Sequence, residues 1–315
     1  MIGFIVRRLL ALIPLLLVVS FIVFGLSLLI PGNPAQTLAG GEHARPEDVH
    51  RINKKLNFDK PFYRQYAIWL GHTVRGDLGD EILGNETVAH GIRRRFPVTF
   101  LIALGSLFVT ILFGVPAGII AGSRPGTALD RFFTVSSSIG IAMPDFWLAM
   151  VLLGFFAVNR SWLPGPGPIP PNASPWDWVQ HLVLIWIAVG IAGAAGLARQ
   201  LRGALIDTLE QDYIRTARAK GLHGRVVVLK HALKNASIAP VTVLGLQFAY
   251  MLGGTAILER IFSLDGMGNY FLNALTEKDL PVIQGVTLLV ACIFVVVNLL
   301  SDILYAYLNP KVRLG

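Results

Sequence analysis

The sequence predicts an all-α membrane protein, on three observations about its composition and hydropathy. Hydrophobic residues make up 54% of the 315 residues, charged residues only 15%, and the mean hydropathy is +0.61. Soluble domains carry about 25% charged residues, so this balance disfavours a large soluble protein. Long apolar stretches also recur along the chain, and a helix needs about 20 such residues to cross a bilayer core.

Six apolar stretches are long enough to span a membrane, and each carries at most one charged residue. They lie at 9–30, 97–123, 132–159, 179–198, 236–258 and 282–308. The first follows Arg7 and Arg8 and covers 22 residues. That is longer than the apolar region of a typical secretory signal peptide, so we expect it to remain as the first membrane helix.

The distribution of Lys and Arg predicts that both termini are cytoplasmic. With the N-terminus inside, the inner segments hold fourteen Lys and Arg, whereas the two short outer loops hold three. Basic residues favour the cytoplasmic side of short loops. The inner segments are the N-terminal tail, 124–131, 199–234 and 309–315, and the short outer loops are 160–178 and 259–281.

The long first outer loop, 31–96, is predicted to form an extracytoplasmic cap of short helices. Aromatic and apolar residues recur at helical spacing over 61–70, and a glycine-containing turn, GDLG, follows at 76–79. Arg93, Arg94 and Arg95 depart from the charge rule, because they directly precede the second span on its outer side. We interpret them as the end of an amphipathic outer-surface helix at 86–96.

Small residues at four-residue spacing predict closely packed helices. One row lies in the second span and one in the fourth. Small side chains allow helix backbones to approach closely in lipid. The rows are Gly114, Gly118 and Gly122, and Gly190, Ala194 and Ala198.

The motifs of common enzymes and metal sites are absent from the sequence. It has no G-x-x-x-x-G-K-[ST] phosphate loop, no H-E-x-x-H or C-x-x-C zinc pattern, and no G-x-S-x-G nucleophile turn. Its single cysteine, Cys292, lies in an apolar run and has no partner for an intrachain disulfide. These absences predict a conduit with no catalytic residues, no metal site and no nucleotide motor of its own.

Four polar residues within the spans are candidates for lining a translocation pathway: Ser137, Asp145, Gln247 and Asn298. An acid within a span is costly and is by default a functional hypothesis. Asp145 follows Pro144, which is expected to break the helix and expose backbone carbonyls. Two interpretations stay open: Asp145 faces a wet pathway and meets a substrate cation, or it is a solvated residue at a helix break. For Gln247 and Asn298, interhelical hydrogen bonds are the simpler interpretation.

A dense basic segment lies between the fourth and fifth spans. From Arg215 to Lys234 it holds six Lys or Arg, two His and no acid. Periodicity predicts one helix over 205–220, ended by Gly221, and a second helix over 225–234. The face of the first helix is formed by Leu205, Leu209, Tyr213 and Ala217.

Three partners compete for this segment. Nucleic acid is disfavoured, because Tyr213 is its only aromatic residue for stacking on bases. Anionic lipid headgroups attract basic residues beside a membrane. A short helix with a sharp glycine break also suits insertion into a groove of a partner protein. Spacing alone does not decide between lipid and protein.

Several blocks of sequence resemble one known family. YIRTARAKGL at 213–222 and KHALKNA at 230–236 are similar to the cytoplasmic-loop pattern of the membrane permease subunits of bacterial ABC importers, in the dipeptide/oligopeptide/nickel branch. The resemblance extends over essentially the whole chain. Further matching blocks are PGNPA at 31–35, LNFDKPFYRQY at 56–66, GDLG at 76–79, FPVTF at 96–100, ERIFSLDGMGNY at 259–270, KDLPVIQG at 278–285 and DILYAYLNPKVR at 302–313.

The sequence departs from the family pattern at a few positions. Asn33 replaces an aspartate and Asp265 a proline of the branch pattern. Of the general E-A-A-x-x-x-G superfamily loop and its I-x-L-P continuation, only Ala217, Gly221 and Leu233 match. Asn33 and Asp265 lie outside the predicted spans and leave the class of protein unaffected.

The resemblance implies a type I ABC importer permease of the MetI-like fold, with six helices, in the bacterial inner membrane. Its partners would be a second homologous permease subunit, two cytoplasmic ATPase subunits that bind ATP and Mg²⁺, an extracytoplasmic solute-binding protein and a peptide substrate. Membrane lipid would contact the basic stretch 225–234, and no nucleic acid is involved. The implied parts of the chain are 1–30 (tail and first helix), 31–96 (cap), 97–308 (permease core with its cytoplasmic segment 199–234) and 309–315 (cytoplasmic tail).

The resemblance also implies roles for individual residues. A coupling helix at 212–222 would dock on an ATPase, with Arg215, Arg218 and Lys220 pairing with acids and Ala217 and Gly221 allowing close approach. The coupling set is Tyr213, Arg215, Thr216, Ala217, Arg218, Lys220, Gly221 and Leu222. The candidates for docking the binding protein are Tyr63, Trp69, Asp77, Glu259 and Asp265.

The alternatives within the branch are nickel and glutathione importers. In the nickel case selectivity would come from the binding protein, since no His or Cys cluster lines a span. Outside the branch, an ATP-independent channel or carrier would need ion-coupling residues and an inverted repeat. An intramembrane enzyme would need a second catalytic group near Asp145.

Overall fold

The computed structural model describes residues 2–26, 34–40, 43–82, 84, 86–170 and 172–308. Within them the regular structure is helical, apart from one isolated bridge between Asp80 and Thr87, which confirms the all-α class. The predicted end of the first span at 27–30, Asn33 and the tail 309–315 lie outside the described residues. The α-helices are α1 Ile2–Gly25, α2 Pro34–Leu38, α3 Pro46–Lys55, α4 Phe62–Thr73, α5 Val88–Ser123, α6 Ala128–Ala142, α7 Asp145–Leu153, α8 Pro175–Leu209, α9 Asp212–Ala219, α10 Gly224–Val226, α11 Leu233–Ala236, α12 Ile238–Gly254, α13 Ala256–Ile261, α14 Met267–Glu277 and α15 Leu280–Leu308.

Three of these helices are long and apolar enough to cross a membrane. They are α5, α8 and the Leu280–Leu304 part of α15. Two bent pairs raise the number to five if each pair is one span: α6 with Asp145–Asn159, and Gly224–Ala236 with Pro240–Gly254. The predicted first span corresponds to a shorter apolar helix in the described residues, Leu10–Gly25.

The described chain forms two compact units. One contains Ile2–Pro97 and Asp265–Val295, and the other contains Val98–Leu264 with the described part of Val296–Gly315. The first unit holds the predicted cap and the segments packed on it. The second holds the bent pairs, α8 and the basic segment.

The predicted glycine row of the second span packs on the fourth span. A Cβ atom added at Gly114, Gly118 or Gly122 would come within 3.0 Å of α8. Real Cβ atoms are rarely that close to a neighbour, so only glycine fits without a shift of the packed helices. The nearest α8 atoms belong to Leu197, Leu201 and Arg202. The row therefore forms a close helix–helix contact, as its spacing predicted.

The helix predicted at 86–96 does not end at Phe96. Helix α5 begins at Val88 and continues through Pro97 into the second span without a break. Val88 and Ile92 are buried in an apolar cluster with Met267, Tyr270 and Val282. This packing buries one face of the first turns of α5.

The third predicted span is broken at Pro144, as its sequence indicated. Helix α6 ends at Ala142, α7 begins at Asp145, and the two lie at 93° to each other. Met143 is extended, with φ −84° and ψ 121°. The residue before a proline is disfavoured in the helical conformation, which accounts for the break. Helix α7 then continues as a π-helix, Gly154–Asn159.

The predicted single helix over 205–220 was wrong, because two helices share this stretch. Helix α8 starts at a Ser174–Asp177 capping box and runs to Leu209, and α9 begins at Asp212. Gln211 between them is extended, with φ −68° and ψ 148°. The turn folds α9 back so that its apolar residues contact α8. Neither glycine nor proline marks this break in the sequence.

Candidate functional site

Helix α9 is a short amphipathic helix anchored by one apolar face. Ile214 and Ala217 are buried in a cluster with Leu201 and Leu205 of α8, which also contains Val227, Ala232 and Ala236. Ala217 was predicted to allow close approach of an ATPase subunit. In the structure it is buried against the chain's own helices. Burying two side chains of an eight-residue helix fixes its orientation, so the opposite face points away from the protein.

Gly221 ends this helix in a left-handed conformation, with φ +78°. The Gly221 N–H donates to the carbonyl of Arg218 at 2.9 Å, and the Leu222 N–H to that of Ala217 at 3.4 Å. This pair of bonds is the Schellman motif, in which the left-handed position favours glycine because it has no Cβ. A Cβ added at Gly221 meets nothing within 4 Å, so the requirement for glycine comes from the backbone alone.

The exposed face of this segment carries the predicted coupling residues. Arg215 lies 3.4 Å from Asp212, an exposed ion pair that contributes little to stability. The Tyr213 hydroxyl accepts a 2.7 Å hydrogen bond from the Asn235 side chain and so ties α9 to α11. The exposed members of the predicted coupling set are Tyr213, Arg215, Thr216, Arg218, Lys220, Gly221 and Leu222. The basic residues predicted to contact lipid are also exposed: Arg225, Lys230 and Lys234. The surface is thus basic and accessible.

The candidate pathway residues lie on separate helices. Ser137 is buried in α6, and Asp145 is partly exposed at the first position of α7, where its carboxylate accepts from the Phe146 N–H at 2.7 Å. Gln247 of α12 donates to the Gly193 carbonyl of α8 at 3.5 Å, an interhelical bond of the kind expected, and Asn298 is partly exposed on α15. Within the described chain, no hydrogen bond joins these four residues to one another.

Three of the candidate docking residues lie on the predicted cap. Tyr63 is 67% exposed on α4. The ring of Trp69 packs on Phe24, with ring centroids 5.3 Å apart. Asp77 accepts from the Gly79 N–H at 3.0 Å and lies 2.8 Å from the His72 ring, and these two contacts lower the pKa of its carboxyl. Trp69 and Asp77 both line a cavity of about 290 Å³ within the same unit.

Glu259 lies in the interior rather than on an outer surface. Its side chain is 0% exposed and accepts hydrogen bonds from Thr99 at 2.7 Å and Thr255 at 3.3 Å. A buried carboxylate needs such partners. Glu259 therefore offers no surface to a docked protein in this arrangement, and we leave it out of the proposed docking surface.

Arg95 explains how basic residues are accommodated before the second span. Its side chain is 12% exposed and its guanidinium contacts Glu86 at 3.0 Å and Asp265 at 2.8 Å. It also lies 4.0 Å above the ring of Tyr270, whose hydroxyl donates to Glu81 at 2.6 Å. Burial and this acid raise the pKa of Tyr270. Asp265, where the family pattern has proline, is thus an ion-pair partner, and local acids offset the positive charge.

We expect Arg95→Met to destabilise this unit by about 1–3 kcal/mol, because Glu86 and Asp265 lose the hydrogen bonds of Arg95 and keep only Arg94, at 3.2 and 3.8 Å, as an arginine partner among the described residues. Asp265 is 56% exposed, so water compensates for part of the loss. Thermal unfolding of the purified protein in detergent measures the effect. Arg93→Met is the matched control, since Arg93 is exposed on the same helix. Equal melting temperatures for the two variants would contradict the prediction.

Sequence reasoning missed one charged pair, Asp130 and Arg202. Arg202 Nη2 lies 2.9 Å from Asp130 Oδ2, although 72 positions separate the two residues. The sequence analysis uses Arg202 only as one of the basic residues of the inner segments, and it gives Asp130 no role. The available signal is local: Thr127 and Asp130 have the spacing of a helix start, and the Thr127 hydroxyl caps α6 by accepting from the Asp130 N–H.

The fold and this site together define a multi-pass helical membrane protein with a short helix whose apolar face is buried and whose basic face is exposed. Comparison with known proteins specifies the class. Residues 114–314 match the family model "Binding-protein-dependent transport system inner membrane component", and residues 1–103 match the model of its N-terminal region. The chain belongs to this family of bacterial inner-membrane subunits of ABC importers. These subunits are permeases and not enzymes, and ATP hydrolysis takes place in partner subunits.

Similar relatives carry a more specific name. The glutathione transport system permease protein GsiC of Escherichia coli O6:H1 is 39% identical over 313 residues, covering 99% of each chain. The proteins of the same name from Shigella boydii serotype 4 and E. coli K12 are each 38% identical with the same coverage. Among solved structures, inward-facing forms of the MetNI methionine ABC transporter match with a TM-score of 0.56 at 18% identity, covering 70% of this chain and 96% of that one. At that identity the likeness shows the fold alone, of the MetI-like type.

Proposed function

We propose that this protein is the permease subunit of an importer for short peptides, with glutathione the first candidate substrate, and that 212–222 is its coupling helix. The exposed basic face of α9 carries the proposal. Ile214 and Ala217 pack on Leu201 and Leu205 of α8, so this contact gives a movement of α9 a direct route to α8. A flexible lipid-binding stretch would not need this anchoring.

In the proposed assembly, partner subunits supply the ATPase activity and the substrate delivery for which this chain has no motif. A second, homologous permease subunit lies beside it, two ATPases bind ATP and Mg²⁺ below, and a binding protein delivers substrate from outside. In this assembly the chain has six spans with both termini inside. Tyr63, Trp69, Asp77 and Asp265 belong to the surface that meets the binding protein. The basic side chains of Arg225, Lys230 and Lys234 face lipid headgroups.

The substrate proposal draws on the relatives named for glutathione, which is itself a short peptide. No group of three metal-ligating side chains occurs in the described part of the chain. No observation favours nickel over a peptide, so glutathione and dipeptides are the substrates to test first.

The test uses the intact complex. The chain is purified from its native membrane with its co-purifying subunits, reconstituted in proteoliposomes and supplied with its binding protein. We expect glutathione or a dipeptide to stimulate ATP hydrolysis and to accumulate in the vesicle when ATP is on the ATPase side. If Ni²⁺ stimulated ATP hydrolysis and the peptides did not, a nickel importer would replace the peptide proposal. Uptake in the absence of ATP would refute an ATP-driven importer.

Asp145 provides a separate prediction about the pathway. If its carboxylate meets the amino terminus of a passing peptide, Asp145→Asn lowers uptake of a free peptide more than uptake of its N-acetylated form. We expect a difference of about 5–10-fold, corresponding to about 1–1.4 kcal/mol of lost charge interaction. Ser138→Ala is the control, because Ser138 is exposed and bonds only to its own helix. Equal loss for both substrates would leave Asp145 as a residue of the helix break only.

A further inference from the structure

A buried ion pair lies where α6 begins. The Asp130 side chain is 4% exposed, and Arg202 reaches it from α8 through both Nε and Nη2. The same carboxylate accepts from the Gly126 N–H at 2.8 Å and from the Thr134 hydroxyl at 3.3 Å. Two parallel guanidinium bonds fix direction as well as distance. The pair therefore sets the position of the start of α6 relative to α8.

Arg202 lies on the part of α8 that contacts α9. Its neighbours Leu201 and Leu205 are in the cluster that buries Ile214 and Ala217. The end of α5 is fixed at the same place, since a Cβ added at Gly122 would lie 3.0 Å from the Arg202 carbonyl. A displacement of α9 thus reaches Arg202 through tightly packed side chains.

Helix α6 leads from this pair to the bend. From Asp130 it runs about three turns to Ala142, where the chain turns through 93° into α7 and Asp145. Near that end, a Cβ added at Gly140 would lie 2.9 Å from the Ala195 side chain of α8. Helix α6 is therefore held to α8 by a close apolar contact at one end and by the ion pair at the other. Without the ion pair, the start of α6 loses its directional contact with α8.

We propose that Asp130 and Arg202 are positioning residues that make the bent α6–α7 segment follow movements of the coupling helix. This inference rests on the proposed role of 212–222. A directional ion pair suits this task better than apolar contact, since it holds one register while the helices move. The pair touches neither substrate nor ATPase in this role. It determines how much of the ATPase movement reaches the bend.

The test measures uptake per ATP hydrolysed in the reconstituted complex. Arg202→Gln and Asp130→Asn are each expected to lower this ratio by about fivefold or more, the lower end of coupling between distant sites. The double variant is expected to be no worse than either single one, because both remove the same pair. Arg202→Lys keeps the charge but loses the two-point contact, so we expect an intermediate ratio. Arg199→Gln, an exposed arginine on the same helix, is the control and should match wild type.

The outcomes separate coupling from mere stability. The proposal is overturned if the single variants assemble less complex but keep the wild-type ratio of uptake to ATP hydrolysed. It is also overturned if the two substitutions lower this ratio additively in the double variant. Gly221→Asp in the same assay tests the proposed function independently. If Gly221→Asp changes nothing, the coupling role of 212–222 fails. If Gly221→Asp uncouples and the Arg202 variants do not, only the present inference fails.

Discussion

Replacing Gly221 by aspartate is expected to lower ATP-driven uptake by about tenfold or more, while the subunit still inserts and assembles. The left-handed conformation at φ +78° costs a residue with a Cβ roughly 1–2 kcal/mol, which loosens the end of α9. The new carboxylate also lies next to Lys220 and partly neutralises the face that meets the ATPase. Uptake and ATP hydrolysis are measured together in proteoliposomes.

Gly224→Asp is the matched control for this variant. It introduces the same charge three residues later, into equally open space, at a glycine that does not have positive φ. Gly221→Ala separates the two causes, because it keeps the backbone strain and adds no charge. If Gly221→Asp and Gly224→Asp both transported as well as wild type, docking through 212–222 would be untenable. A defect of equal size in both would mean that added charge alone is responsible.

The features that hydropathy and local chemistry determine could be predicted from the sequence. Membrane helices need only length and apolarity, so α5, α8 and α15 were recognisable. Pro144 forces Met143 into an extended conformation, and Gly221 supplies the left-handed residue of a helix end, so these two breaks could be located to the residue. In each case the cause lies within a few positions of its effect.

The features that depend on tertiary contacts could not be predicted. Helix α5 starts before Pro97 because Val88 and Ile92 pack on distant residues of α14 and α15. Helix α8 ends at Leu209 because Ile214 and Ala217 fold back on it, not because of a local breaker. Glu259 is a docking candidate in the sequence because it begins the predicted outer loop 259–281, whereas Thr99, 160 positions away, hydrogen-bonds it in the interior.

We expect Gly118→Leu to prevent stable packing of the subunit. An added Cβ alone would lie 2.9 Å from Leu201 Cβ and 3.0 Å from the Ala198 carbonyl, and the backbone atom cannot rotate away. Overpacking a core by a few methylene groups costs about 1–3 kcal/mol, and here the contact is with a neighbouring helix along its whole row. The yield of folded protein in detergent and its melting temperature should both fall.

The comparison that isolates this packing effect is Gly203→Leu. Gly203 lies in α8, one residue after Arg202, and an added Cβ there meets nothing within 4 Å. The two substitutions add the same side chain to a membrane helix, so any difference in melting temperature reports the α5–α8 contact and not hydrophobicity or helix propensity. Because the methyl group of Gly118→Ala would press on Leu201, the residue before Arg202, this milder variant should lower uptake per ATP before it lowers yield. If Gly118→Ala lowered the yield of folded protein but kept the wild-type uptake per ATP, the glycine row of α5 would serve only to pack the helices.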